Sequence, residues 1–142
     1  MPNADTLELH RSLRAWADGY SPDAAAVDLL IAHGTWLHRN DFRHHLVPGH
    51  TGDGQEITAI DWEGLLEVRT QGLPASSSEV AVLDIALSLA ANKPVPLGEV
   101  LGLDATNTAA VATALVRAAQ HSARVTVTLA DPNQPPNPAL PV

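Results

Sequence analysis

The stretch HRNDFRHHLVPGH, residues 38–50, holds four of the chain's seven histidines together with Asp41. Imidazole nitrogens and a carboxylate are the donors that zinc and other divalent transition metals take. Histidine is also the side chain whose charge changes near neutral pH. On one continuous helix each residue turns about 100°, so His38, Asp41 and His45 would fall within roughly 60° of one another. These three are the metal candidates. Arg39 and Arg43 flank them, however, and oppose a bound cation. Val27, Ile31, Gly34 and His38 run at spacings of four, three and four, which makes His38 an extension of an apolar packing stripe. The HExxH arrangement of zinc proteases is absent. The expectation is a polar helix end with no metal and no cofactor.

Other chemistry fails on spacing. Placing Asp53-Gly54 at the fifth and sixth positions of a calcium loop puts Gly49 and Thr51 where acids belong, and Ile60 where the bidentate glutamate must be. Ser76, Ser77 and Ser78 lack a GxSxG context, and Ser76 with Glu79 has capping-box spacing instead. GHTGDG has neither the lysine nor the following Ser/Thr of a phosphate loop. Glu63 and Glu67 lie one helical turn apart, as on any solvated helix face. Trp36 and Trp62 read as core anchors.

The elements that must position these residues read mainly as helix. TLELHRSLRAWAD (6–18) sets Leu9, Leu13 and Trp16 at helical spacing. SPDAAAVDLLIAHGTWLHR follows, with Ser21 as its cap, Pro22 suited to the first helical position and an apolar stripe of Val27, Leu30, Ile31 and Leu37. Asn40 or Asp41 restarts a short helix through Val47, which Pro48 and Gly49 end. After a glycine-rich loop, EITAI reads as a short strand. Asp61 caps DWEGLLEVRTQ, Ser76 opens a helix to about Ala91, and KPVP breaks it. LGEVLGL (97–103) is a short helix, Asp104 or Thr106 caps a longer one to about Gln120, and RVTVTL (124–129) alternates like a strand.

Composition bounds the rest. One domain's length, 45% hydrophobic residues and five aromatics indicate packed helices. There is no cysteine, hence no disulfide or thiolate site. The acidic N-terminal stretch is unlike a secretory signal, and VAVLDIALSLAA (80–91) is too short for a bilayer and interrupted by Asp84, so a cytoplasmic protein without membrane contact is expected. Sixteen acids against eight bases give a formal charge of −8. Such a field disfavours nucleic acid and anionic membranes and suits a basic protein partner.

Residues 79–130 order a helix, a break, a short helix, a longer helix and a strand. This pattern resembles a degenerate winged-helix or helix-turn-helix unit. The resemblance implies a trihelical core of Val82, Leu83, Ile85, Ala86, Leu89, Leu97, Val100, Leu101, Val111 and Leu115, and a second motif helix that enters the major groove. With Val111, Leu115 and Ala118 inward, Thr106, Ala110, Thr113 and Arg117 face outward as partner-facing residues. That face carries one cation. The segments WLHRNDF, AIDWEGLL and LPASSSEVAVLDIALSLAANKPVPLGEVLGLD are similar to small proteins of high-GC actinobacteria, and arginine in place of lysine with 23 alanines fits such a genome.

The sequence therefore predicts a mainly α, compact multi-helix domain over 1–130, with the winged-helix-like unit at 79–130, minor β-structure, and a disordered proline-rich tail at 131–142. A non-enzymatic protein-interaction or accessory role ranks first. A DNA-associated regulator using the 79–130 unit ranks second, and a histidine-based metal enzyme third. Oligomeric state leaves no trace in the sequence.

Overall fold

The computed structural model describes residues 3–131 and Asn133. Helix α1 (Ala4–Ala17) starts where the Asn3 side chain accepts from the Thr6 N–H, and it buries Ser12, Leu13 and Ala17. Helix α2 (Ser21–His33) carries Pro22 in its first turn and buries Ala24 through Val27 with Leu29 and Leu30. Burial on so many sides marks α2 as the central helix, against which α1, α5 and α6 all pack. Gly34 ends it in the left-handed region at φ 83°, with its N–H on the Leu30 carbonyl.

The chain then departs from expectation. A short 3-10 helix, Trp36–His38, and a single turn, α3 (Asn40–Arg43), bury Trp36, Leu37 and Phe42. The expected helix through Val47 does not form. Leu46–His50 is instead strand β1, paired antiparallel with β2 (Glu56–Ile60) in a register running from Leu46↔Ile60 to His50↔Glu56. Pro48 is compatible because both strands of a two-stranded sheet are edges. Helix α1 lies on β2, and the Ser12 and Thr58 hydroxyls meet at 2.8 Å.

Asp61 caps α4 (Trp62–Gln71) through the Gly64 N–H. A side chain at position 64 would start 2.4 Å from the Asp61 carboxylate and 2.7 Å from His45 Nδ1, so both of those side chains would have to move to admit one. Helix α5 (Ser77–Ala91) opens on the expected capping box, with both Ser76–Glu79 bonds made. It buries every residue from Ala81 to Leu87. A second 3-10 helix (Leu97–Gly102) leads to α6 (Ala105–Ala118), capped by Asp104. The protein is thus mainly helical with one small hairpin, and one core cluster runs from Leu13 to Ala114.

Two core expectations are corrected. Leu97 and Leu101 stand in solvent, and Leu115 is 49% exposed. Helix α6 turns Val111 and Ala114 inward against the alanine-rich α2, and small side chains set that contact. The strand expected at 124–129 is also absent. Its alternating Val125, Val127 and Leu129 find no neighbouring strand, and a lone strand leaves its backbone groups unpaired. The tail expected over 131–142 lies outside the described residues, apart from Asp131 and Asn133. Among the described residues no helix is long and apolar enough to cross a membrane.

Candidate interaction surface

The histidine segment does not converge. His38 is exposed in the first 3-10 helix, Asp41 sits in α3, and His45 precedes β1. Asp41 is occupied by Arg39, whose Nε and Nη2 donate at 3.1 and 2.5 Å, and it also accepts from the Phe42 N–H. That guanidinium holds the Asp41 carboxyl below the usual carboxylate range. Arg39 further lies 4.4 Å over the Trp36 ring and donates to the Pro74 carbonyl at 2.7 Å, which pins the segment to the body. His45 faces Asp61 instead, with Nδ1 4.0 Å from Oδ2. Among the described residues no three His, Asp or Glu side chains gather closely enough to hold a metal.

The outward face of α6 is only partly one surface. Ala110, Thr113 and Arg117 line a small groove of about 160 Å³ against Asp28, Leu29 and Ala32 of α2, while Thr106 is exposed outside that lining. Arg117 Nε lies 3.2 Å from one oxygen of Asp28 as an ion pair, and Arg14 Nε donates to the other oxygen at 3.3 Å. The cation expected to face a partner is therefore held by its own chain.

A second ion cluster escaped the sequence reading. Asp84 on α5 is 1% exposed, yet Arg69 of α4 donates to both its oxygens at 2.9 and 3.2 Å, and Lys93 lies 3.5 Å away. A buried carboxylate requires such partners. The signal was present as the acid interrupting VAVLDIALSLAA, but nothing in the sequence says which bases reach it. Two cations thus share one buried carboxylate. Arg69 also lines an open groove of about 370 Å³ with Ser77, Val80, Ala81 and Glu99.

That groove borders the second 3-10 helix, which buries none of its residues. Leu97 is 71% and Leu101 85% exposed. Of the eight large hydrophobic side chains exposed among the described residues, five fall between 97 and 129, so the unpartnered apolar surface is concentrated in the C-terminal third. The cations show the reverse. Arg11, Arg14, Arg39, Arg69, Lys93 and Arg117, six of the eight Lys and Arg, each pair with a carboxylate. No protein-family model, curated protein or solved structure matches the chain.

Proposed function

We propose that this chain is a non-enzymatic protein-interaction or accessory protein of a bacterial cytosol, and that it meets its partner through the second 3-10 helix. The exposure of Leu97 and Leu101 on a six-residue element with no buried residue carries this reading. Fully covering a leucine side chain contributes about 1.5–3 kcal/mol, so a partner seated on both gains a substantial apolar contact. A single exposed leucine is ordinary; two on one short element beside an open groove form a patch. The DNA-regulator reading has less support, because phosphate contacts need uncommitted bases and most here are already paired.

The test is site-specific crosslinking in the source cell. A photoreactive residue in place of Leu101 should trap one discrete protein, while the same residue in place of Leu7, also exposed and far away in sequence, should not. Equal labelling from both positions, or products with nucleic acid alone, would remove the basis of the proposal.

A further inference from the structure

We infer that residues 124–129 are an intermolecular strand, and that they pair antiparallel with the same segment of a second copy of this chain. The alternation in RVTVTL reads as a strand, and the structure leaves that strand without a neighbour. From Val125 to Asp131 the chain runs without turn, bend or positive φ. Among the described residues, no backbone group from Thr126 to Ala130 makes a hydrogen bond. No proline or glycine interrupts the segment, and Val125 to Thr128 are all β-branched, the side chains a pleated edge favours. The hairpin is a poorer edge, because Pro48 withholds a donor from β1. Water satisfies the exposed backbone of the lone segment, so pairing gains mainly from covering its apolar face. Val125 is 47% and Leu129 54% exposed.

A second copy fits this edge because the segment is complementary to itself. In an antiparallel pair, residues directly opposite one another share a face. With a two-fold axis at Val127, Val125 lies opposite Leu129 of the other copy, Val127 opposite itself, and Thr126 opposite Thr128. Every apolar residue then meets an apolar one, and every threonine a threonine. A two-residue slip one way sets Leu129 against Ala123, and the opposite slip sets Val125 against Asp131. One-residue slips set Val127 against a threonine. Charge agrees with the pattern. Among the described residues Arg124 and Asp131 have no ion-pair partner, and antiparallel pairing brings Arg124 of each copy to the end where Asp131 of the other lies. The contact is small beside the ~1,200 Å² of a stable interface, so the dimer forms reversibly and at raised concentration. It lies apart in sequence from Leu97 and Leu101 and does not depend on the partner proposed for them.

The chain has no cysteine, so single cysteines report the register directly. Directly opposite Cα atoms in such a pair lie about 4.5–5.5 Å apart, within disulfide reach. The full chain is oxidised mildly at moderate salt, which screens the repulsion between two copies of charge −8. Val127→Cys should then crosslink with itself. Val125→Cys and Leu129→Cys, mixed, should link to each other several-fold faster than either links to itself. A charge swap tests the same register without oxidation. Val127→Glu and Val127→Lys should each abolish the concentration-dependent dimer seen by sedimentation, with the helical circular dichroism unchanged, and an equimolar mixture should restore it. A wild-type chain that sediments as a monomer up to millimolar concentration, equal crosslinking from positions 125, 127 and 129, or no rescue in the mixture overturns the inference. So does protection of the Thr126 and Thr128 amides in a strictly monomeric chain, which would place the neighbouring strand within the molecule.

Discussion

His33 closes the last turn of α2 with its Nδ1 buried and without a hydrogen-bond partner. Burial pushes its pKa below the ordinary histidine value, and Glu79 and Asp104 pull only partly the other way. His10 is shifted in the same sense by burial, then by Arg14 and His38. A depressed folded pKa means that the unfolded chain binds the proton first. Stability is therefore complete above about pH 6.5 and is lost as pH falls through the folded values. Asp41 and Glu79, both lowered, add their losses only in the carboxylate range, whereas Asp23, raised by burial, works the opposite way. The urea midpoint should therefore drop between about pH 7 and pH 5, and His33→Gln should flatten part of that drop. An unchanged slope in the variant contradicts the assignment. The Asp84 cluster makes a second prediction at this scale. Arg69→Met leaves a buried carboxylate with Lys93 alone and should cost toward the lower end of ~3–5 kcal/mol, while Asp84→Leu frees two partly exposed cations to reach water and should be close to neutral. Chemical denaturation of both variants checks the order; an Asp84→Leu protein less stable than Arg69→Met reverses the argument.

Three helix starts were readable because a cap is a local interaction, whereas Ser21, expected to cap α2, is its first helical residue and makes no cap bond. Ser76 with Glu79, Asp61 and Asp104 each accept the N–H that their spacing indicated. The hairpin was not readable, since Pro48 and Gly49 look like terminators until a second strand lies alongside, and that pairing is made across a loop. Helix α6 failed for a different reason. Its largest aliphatic residue was placed inside, but contact with an alanine-rich helix is decided by which small residues allow close approach. Leu115→Ala should therefore cost less than about 1 kcal/mol, whereas Leu30→Ala, from a fully buried position on α2, should cost about 2–5 kcal/mol. Thermal or urea denaturation of the pair decides between this orientation of α6 and the one drawn from pattern alone. At the end of α2, Gly34→Ala should lose about 1–2 kcal/mol, because a Cβ at φ 83° is strained even where space is open.

At the scale of the whole molecule, net charge was legible and its distribution was not. The count of bases predicted weak attraction to phosphate. It could not say that Asp28 would hold Arg14 and Arg117 together, or that Asp84 would hold Arg69 and Lys93, because those pairs join separate elements whose packing decides which charges meet. Likewise, 97–103 read correctly as a short helical turn while its leucines were assigned to the core, since exposure depends on what the body leaves uncovered. The pairing sharpens the expectation for nucleic acid. Each phosphate contact contributes about 0.9 to the slope of log affinity against log salt, and at six of the eight bases it would first have to separate an internal ion pair. Duplex titrations from low to moderate salt should give only weak, sequence-independent binding with a slope near zero. Arg117→Glu should leave it unchanged, because the wild-type guanidinium is already committed to Asp28. Tight binding with a steep slope that Arg117→Glu abolishes would mean that Arg117 leaves Asp28 to reach a phosphate, and the second motif helix would then be a reading helix after all.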